Sequence, residues 1–325
     1  MFQVVLVGLP SEEGTFGPCR ANARFSRCGF IDANMIHKTS AECHPLLRAR
    51  VARALRPLRR FRGWMRVINS VVPESASGEF LVINDGTAFA GNLGSFLDRN
   101  VYLFGDHEGR EIELFLSLVP PERRGIILDV GANAGTHSLQ FARAFEHVHS
   151  FEPNPALWPQ FERNIALNQL SNVTLHRVGL ADRDSQLPFY MIEKPNLGLG
   201  TFSNVEQYDM PLIEVGSASA VRGSDYLATH GIGPVHAIKI DVQGFEVEAI
   251  RGLIPVLQRD RPYLWFELGS GTRQVLNSRT ALERLIPFRH KAWLIDPRRT
   301  LLMRRVALAP APSDLPEGDY ILAPV

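Results

Sequence analysis

From residue 125 onward, strand-like and helix-like segments alternate, and this alternation restricts the fold more than any other feature. Strand-like GIILDV, VHSFEP and VTLHRVGLA are separated by helical patterns over 136–145 and in ALWPQFERNIALNQL. Further along, VHAIKIDV, EVEAIRGLIPVL and YLWFEL repeat the alternation. Such a pattern predicts βαβ units and a parallel sheet covered on both faces. Because ligands of these sheets bind at the carboxyl ends of the strands, the residues that end strands are the first candidates for a site.

The charge of the chain is unevenly distributed. Residues 1–70 contain twelve Lys or Arg and four Asp or Glu, a balance of +8, so the remaining residues sum to −7 within the net charge of +1. The three cysteines, Cys19, Cys28 and Cys43, are too few for a disulfide framework, and their spacing fits no zinc pattern. No apolar run is long enough for a membrane span, and the start lacks the basic region of a signal peptide. We therefore expect a cytoplasmic protein.

The N-terminal extension, residues 1–75, has no role that the sequence reveals, apart from a basic helix predicted around 46–68. Eight arginines lie between positions 48 and 66, and apolar residues recur there near helical spacing. Pro57 is expected to kink or end that helix. One interpretation is weak contact of 48–66 with an anionic surface such as a membrane, nucleic acid or acidic glycan. The simpler interpretation, which the sequence favours, is a surface helix with a solvated charged face.

The loop after the first strand of the alternating region has a glycine pattern, Asp129-x-Gly131-x-Asn133-x-Gly135. It lacks the third glycine of a dinucleotide-binding fingerprint, which counts against a nicotinamide oxidoreductase. Glu152 ends the next strand, where a carboxylate can accept hydrogen bonds from both hydroxyls of a ribose. The joint pattern predicts a nucleoside site.

Four segments of the chain resemble the FkbM family of S-adenosylmethionine-dependent methyltransferases: DVGANAG, FEPNP, NIALN and, most specifically, KIDVQGFEVEAIRG. The resemblance runs from about residue 80 to the C-terminus. It implies an α/β class I methyltransferase, Rossmann-like fold with a seven-stranded, mostly parallel sheet whose last strand is antiparallel. We therefore expect a methyltransferase domain over 76–325, with an N-terminal subdomain at 80–120 and the Rossmann-like core at 125–325.

The resemblance also implies that S-adenosyl-L-methionine is the cofactor and where it binds. The backbone at Gly131, Asn133 and Gly135 would contact its methionine portion and ribose. Asp129 would orient that loop or meet the amino group.

The same resemblance implies roles for two further carboxylates, whereas a third carboxylate that the family usually has is absent from this chain. Glu152 would hold the ribose hydroxyls, and Asp182 lies in the region that usually meets adenine, although a turn or cap aspartate is an equally simple interpretation. The family usually has Glu where this chain has Gln243, so no role for that carboxylate carries over.

The acceptor atom is predicted partly from motifs that the sequence lacks. No Asn/Asp-Pro-Pro-Tyr tetrapeptide, typical of amine methylation, occurs, and every cysteine precedes the catalytic region. An oxygen acceptor is therefore expected, and its proton must leave as the bond to carbon forms.

Asp241, which ends the KID strand, is the first candidate for the catalytic base or for orienting the hydroxyl. Lys239 lies on the same face of that strand and would offset a developing alkoxide or pair with Asp241. His137 is a second candidate base, since the pKa of imidazole lies near neutrality. Glu246 is expected to be a favourable first-turn residue of the following helix.

Glu267 ends the next strand and is the last catalytic candidate. With Asp241 it raises the alternative of a magnesium ion held by two strand-end carboxylates, which we consider less favoured than metal-free transfer.

The sequence thus predicts an S-adenosylmethionine-dependent O-methyltransferase acting on a hydroxyl of a small molecule or glycan, a sugar or a sugar-bearing natural product. The irregular segment 194–225 is expected to contribute to acceptor choice. One alternative is RNA methylation, which the acidic balance outside the first 70 residues disfavours. The other is a cofactor-binding module without catalysis, which the Gln243 substitution keeps open.

Overall fold

The computed structural model describes residues 43–55, 64–72, 76–192, 200–202, 212–299 and 304–325. Its strands are, in chain order, β1 Glu79–Asn84, β2 Thr87–Asn92, β3 Ile126–Val130, β4 His147–Phe151, β5 Val173–His176, β6 Gly179–Ala181, β7 Ser185–Ile192, β8 Gly200–Thr201, β9 Leu212–Arg222, β10 Val235–Ile240, β11 Tyr263–Leu268, β12 His290–Arg299, β13 Arg304–Pro310 and β14 Gly318–Pro324.

The helices alternate with these strands as the sequence pattern predicts. They are, in chain order, α1 Cys43–Ala54, α2 Trp64–Val71, α3 Phe96–Phe104, α4 Gly109–Leu118, α5 Thr136–Phe141, α6 Trp158–Leu167, α7 Gly223–Thr229, α8 Glu246–Gly252, α9 Ile254–Asp260, α10 Ser270–Arg273 and α11 Arg279–Leu285. In this part of the chain no helix has the length and apolar character needed to cross a membrane.

The main sheet has eight strands in the order β13-β12-β14-β11-β10-β3-β4-β5. Strands β11, β10, β3, β4 and β5 pair in parallel, and β14 is antiparallel to both of its neighbours. The predicted α/β Rossmann-like class and the antiparallel last strand are confirmed. The predicted count of seven strands is wrong by one, because β13 forms an antiparallel hairpin with β12 and extends the sheet at its edge.

The central strands are apolar on both faces because helices cover the sheet from both sides. In β3, residues 127–130 are buried, and β10 is buried except at one position. One apolar cluster lies between β10, β11 and helices α8 and α9, while another joins α4 and α5 to the opposite face. The buried strands therefore hold their carboxyl ends in fixed register at one rim of the sheet.

A second sheet of four strands has the order β6-β9-β7-β8. Its strands come between β5 and β10 of the main sheet in the sequence. Strand β9 corrects the expectation that 194–225 is irregular throughout, since residues 212–220 pair with β7 over the whole length of β7, and 220–222 pair with β6. Residues 193–199 and 203–211 lie outside the described residues, so the predicted role of that segment in acceptor choice stays a prediction.

The N-terminal helices pack on the hairpin β1–β2 and on α3. Ala49, Ala52 and Ile68 are buried in a cluster with residues of that hairpin and of α3. The Arg53 guanidinium donates to the Tyr102 carbonyl (2.7 Å) and to Asn84 Oδ1 (2.8 Å), which fastens α1 to the domain. Of the basic helix predicted around 46–68, residues 46–54 lie in α1 and residues 64–68 lie in α2, while 56–63 lie outside the described residues. Pro57, where a kink was predicted, and Cys19 and Cys28 lie outside the described residues.

Candidate active site

A cavity lies at the carboxyl ends of β3, β4, β10 and β11. Seven of the ten candidate residues from the sequence line it: Gly131, Asn133, His137, Glu152, Lys239, Asp241 and Glu267. Its wall also includes residues that the sequence analysis did not select: Phe96, Leu97, His107, Glu108, Thr201, Phe202, Phe245 and Asp319. The strand-end rim therefore brings together the four predicted catalytic residues and three of the six predicted cofactor residues.

Gly131 is required by the way the loop after β3 packs against the end of β10. Its φ is +84°, a left-handed conformation that side chains disfavour. A Cβ atom there would lie 1.8 Å from the Asp241 carbonyl oxygen. Its backbone N–H donates to the Phe151 carbonyl at 2.9 Å. The glycine thus allows the loop after β3 to touch the end of β10.

Glu152 is a buried carboxylate held by the backbone on both sides. Its Oε2 accepts from the Asn133 N–H and its Oε1 from the Asn154 N–H, each at 2.8 Å. Burial raises its pKa to about 7, although both of these hydrogen bonds oppose the shift. Because each carboxylate oxygen has a second lone pair, the fixed group can still accept hydrogen bonds from two ligand hydroxyls.

Three predicted cofactor residues do not line the cavity. Asp129 is buried in β3, where its Oδ2 accepts from Ser138 Oγ at 2.5 Å, and its Oδ1 has no hydrogen-bond partner among the described residues. Gly135, at φ +87°, precedes α5, and a Cβ there would lie 3.0 Å from the Phe161 ring. Asp182 is half-buried, while Gly179 nearby does reach the cavity. Asp129 and Gly135 support the loop through contacts outside the cavity. Contact of Asp182 with adenine stays a prediction.

Asp241 is held by two donors, one on each oxygen. Lys239 Nζ donates to Oδ2 at 3.0 Å, and Gln243 Nε2 donates to Oδ1 at 2.7 Å. Burial opposes its ionisation, but the Lys239 charge and these hydrogen bonds lower the pKa of Asp241 below its usual value. The pKa of Lys239 is raised, since the surrounding carboxylates outweigh the burial of this 2% exposed side chain. Asp241 is therefore an ionised, oriented hydrogen-bond acceptor.

Gln243 also donates its Nε2–H to Glu267 Oε2 at 3.1 Å, so the amide bridges two strand-end side chains. Glu267 differs from Asp241 in charge: burial, followed by the nearby Asp241 and Asp319 carboxylates, raises its pKa to about 9. This raised pKa favours the protonated form of the Glu267 carboxyl at neutral pH in the protein without bound ligand. Within the described residues, no group of three or more His, Cys, Asp or Glu is arranged to hold a metal ion.

Glu108 was not among the predicted site residues. It lies 29 residues before its hydrogen-bond partner, His137, in the chain. His137 Nε2 is 3.0 Å from Glu108 Oε2, and His107 Nε2 is 3.5 Å from Glu108 Oε1. Burial opposes ionisation here too, but the hydrogen bond to His137 and the charges of both histidines hold the pKa of Glu108 well below its usual range. The left-handed φ of +56° at Glu108, just before α4, has no signature in the sequence.

Asp319 is the second missed residue, and it comes from the antiparallel strand β14. It lies opposite Glu267 in the register of β11 and β14 and accepts from Trp265 Nε1 at 2.9 Å. Burial and the Glu108 charge raise its pKa to about 7. Only the pairing of the last strand with β11 would have revealed it.

Glu246 is a structural carboxylate rather than a cavity residue. It is 1% exposed, and its carboxylate accepts from the backbone N–H of Val242 and Gly244 and from Thr272 Oγ1. It therefore fixes the turn that carries Gln243, a stronger role than the first-turn placement that we expected.

Comparison with known proteins agrees with the motifs. Residues 129–285 match the sequence profile of the family described as "Methyltransferase FkbM domain". The chain is 28% identical over 164 residues to "Methyltransferase 1" of Beauveria bassiana, covering 45% of this chain and 66% of that protein. It is 24% identical over 158 residues to "Hexuronic acid methyltransferase AglP" of Haloferax volcanii, covering 49% and 62%. It is 26% identical over 153 residues to "2-O-methyltransferase NoeI" of Sinorhizobium fredii, covering 42% and 60%.

The chain thus spans less than two thirds of the length of each of these relatives. The matched region contains the glycine loop, Glu152, Lys239 and Asp241, while Glu108 and Asp319 lie on either side of it. Residues 129–285, just under half of the chain, therefore match the methyltransferase FkbM domain, the family that the sequence motifs predicted.

Proposed function

We propose that the protein transfers a methyl group from S-adenosyl-L-methionine to a hydroxyl oxygen of a small molecule or glycan, a sugar or a sugar-bearing natural product. The observation that carries this proposal is the convergence of Glu152 and Asp241 in one cavity. The first is a buried carboxylate suited to ribose hydroxyls, and the second is an oriented carboxylate suited to an acceptor hydroxyl.

The cavity residues fit an adenosyl cofactor. Glu152 would accept from both ribose hydroxyls while Asn133 and Asn154 keep its carboxylate in place. Gly131 lines the cavity, and its missing side chain lets the loop after β3 lie against the end of β10. The cofactor supplies an electrophilic methyl carbon bonded to a positively charged sulfur.

The acceptor then needs orientation more than strong base catalysis. The Asp241 carboxylate would accept the hydroxyl proton as the acceptor oxygen bonds to the methyl carbon that the cofactor would supply, and the electrons of the broken carbon–sulfur bond would stay on sulfur. Lys239 and Gln243 prevent Asp241 from rotating, so its free lone pairs define where the hydroxyl must lie. Holding two reactants in line in this way can lower a barrier by roughly 7–11 kcal/mol.

The acceptor class is supported by relatives and by the cavity wall. AglP is named for a hexuronic acid and NoeI for a 2-O position. Carboxyl groups of Glu108, Asp241, Glu267 and Asp319 line the wall beside a single lysine. Such a wall offers many hydrogen-bond acceptors and, in its protonated members, donors, which suits a polyhydroxylated acceptor.

The test combines cofactor binding with turnover on a panel of monosaccharides, glycosides and glycosylated small molecules. We expect micromolar binding of S-adenosylmethionine and formation of S-adenosylhomocysteine with at least one hydroxylated acceptor. Preference for a nicotinamide dinucleotide, or methylation only of amines, would contradict the proposal. Full turnover by protein treated with EDTA and freed of metal is expected, and a strict magnesium requirement would restore the magnesium alternative.

A cofactor-binding module without catalysis is the rival that Gln243 keeps open. Against it, the Gln243 amide donates to Asp241 and Glu267 at once and preserves the acceptor carboxylate. A Gln243→Glu variant removes this donor and adds a third carboxyl, so we expect turnover to fall about tenfold or more. A variant that gains activity from an inactive parent would instead support the rival.

A further inference from the structure

The face that α1 turns to solvent is apolar along its centre. Leu47, Val51 and Leu55 recur every four residues and are 56%, 51% and 41% exposed. Ala49 and Ala52, on the opposite face, are fully buried. The helix therefore packs through its small residues and presents its large aliphatic ones, the reverse of an ordinary surface helix.

Arginines border this apolar stripe on both sides. At 100° per residue, Arg48 and Arg50 project to opposite flanks of the line through Leu47, Val51 and Leu55, and both are exposed. Arg53 is the exception, because it turns inward to bind the Tyr102 carbonyl and Asn84. The flanking charges are uncompensated in sequence, since no Asp or Glu occurs between Glu42 and Glu74.

The stripe is also held rigidly. Arg53 anchors the last turn of α1 through hydrogen bonds to Tyr102, Ile83 and Asn84, and it lies 5.4 Å from the centre of the Tyr102 ring. Ala49 and Ala52 allow α1 to lie close to α3. Because the buried contacts fix the rotation of the helix, Leu47, Val51 and Leu55 cannot turn inward without breaking them.

We propose that α1 docks the protein on an anionic lipid bilayer, with the Leu47-Val51-Leu55 stripe entering the interface and Arg48 and Arg50 meeting lipid phosphates. An aliphatic centre with cationic edges is the arrangement of helices that lie in the membrane surface. Anionic lipid headgroups attract each nearby arginine, and the acyl boundary accepts the leucines. This surface function is independent of the proposed methyl transfer.

Other occupants fit the stripe less well. A second copy of the chain would bring two sets of arginines together with no acidic residue from 43 to 73 to balance them. Residues 1–42 contain four basic and four acidic side chains, so they have no net charge to match the arginines. Nucleic acid would use the arginines but leave the aliphatic stripe in water, because the stripe has no aromatic ring on which bases stack.

The experiment is co-sedimentation of the full chain with vesicles of phosphatidylcholine mixed with phosphatidylglycerol, compared with phosphatidylcholine alone. We expect binding only to the anionic vesicles and weakening as salt is raised. Arg48→Glu with Arg50→Glu should weaken binding about thirtyfold or more, since each arginine near such a surface contributes about fivefold. A triple variant with serine at 47, 51 and 55 should weaken it at least about tenfold.

Two control variants remove matched groups elsewhere on the surface. Ile213→Ser, Val275→Ser and Val325→Ser take away three exposed aliphatic side chains, and Arg183→Glu with Arg289→Glu repeats the charge change. Neither control should alter vesicle binding by more than about twofold.

Several results would contradict the proposal. The proposal is wrong if the wild type does not sediment with anionic vesicles, or if both α1 variants bind as it does. It is equally wrong if the wild type binds single-stranded RNA but not anionic vesicles, or if sedimentation analysis finds a dimer that the serine variant dissociates. Loss of methyl transfer with vesicle binding intact would concern only the proposed function.

Discussion

The affinity for S-adenosylmethionine should depend on pH through Glu152. Burial raises the pKa of this carboxyl to about 7, whereas bound ribose hydroxyls need its ionised form. Lowering the pH therefore protonates the group and weakens binding. At pH 6, about one unit below that pKa, roughly nine-tenths of the carboxyls are protonated, so the dissociation constant should be about tenfold higher than at pH 8.

The same carboxylate sets the magnitude expected for its removal. Glu152→Ala deletes charge-assisted hydrogen bonds, which contribute about 1.5–3 kcal/mol each, so affinity at pH 8 should fall at least about tenfold. The pH dependence of the affinity of this variant also serves as the baseline for that of the wild type. The amino group of the cofactor titrates near pH 8, and only the part of the pH dependence that Glu152→Ala abolishes belongs to this residue.

Isothermal titration calorimetry from pH 6 to 8 measures both effects, and Glu146→Ala, which removes an exposed carboxylate, is the matched control. We expect the control to behave as the wild type. An equal pH dependence in the wild type and in Glu152→Ala would refute the reasoning, and so would unchanged affinity of Glu152→Ala at pH 8.

Three further perturbations test the site. Asp241→Asn should lower kcat about 100-fold or more while leaving cofactor affinity within about threefold, because it removes the proton acceptor but not the ribose contact; equal loss of both, by initial rates and calorimetry, would contradict this. Gly131→Ala should destabilise the fold by at least about 2 kcal/mol in urea unfolding, since it adds overlap with the Asp241 carbonyl to an unfavourable φ. Gly231→Ala, at φ +64° in open space, isolates the conformational part and should cost about 1 kcal/mol. Lys239→Met should destabilise by about 1.5–3 kcal/mol, because it leaves the partly exposed Asp241 carboxylate without its cationic partner; a loss below about 1 kcal/mol would show that Lys239 is not the stabilising charge.

The core of the site was predictable because its signals are local in the sequence. Gly131 and Glu152 follow strands whose apolar runs are unmistakable, and the parallel sheet brings the ends of neighbouring strands together. Asp241 was found by the same reasoning. Each of these residues is positioned by the backbone element that immediately precedes it, so periodicity alone locates it.

Glu108 and Asp319 could not be found in that way, since tertiary packing brings them to the cavity. Glu108 precedes α4 in the segment before the family domain, and Asp319 lies on a strand that pairs antiparallel with β11. Neither ends a strand of the alternating region. The eighth strand escaped prediction because the sequence of β13 has no strong alternation of apolar and polar residues.

Helix α1 shows what helical spacing alone does not determine. Leu47, Val51 and Leu55 recur at helical spacing, and the sequence favoured a surface helix with a solvated charged face. The structure buries Ala49 and Ala52, because small residues allow close approach to α3 and because Arg53 gains two buried acceptors there. Helical spacing identifies a stripe, but the partner surface decides which stripe is buried.

The charges of the cavity explain how five carboxyl groups can share one wall. The raised pKa values of Glu152, Glu267 and Asp319, about 7, 9 and 7, mean that these groups are wholly or partly protonated at neutral pH, whereas Asp241 keeps its charge through Lys239. A ligand with a sulfonium and an ammonium group brings positive charge into this wall, which lowers the pKa of each neighbouring carboxyl. Binding should therefore release protons near pH 7, and the observed enthalpy should vary with the ionisation enthalpy of the buffer. A binding enthalpy that is the same in phosphate and Tris would mean that the carboxyls keep their protons and that Glu152 does not bind the ribose as an anion.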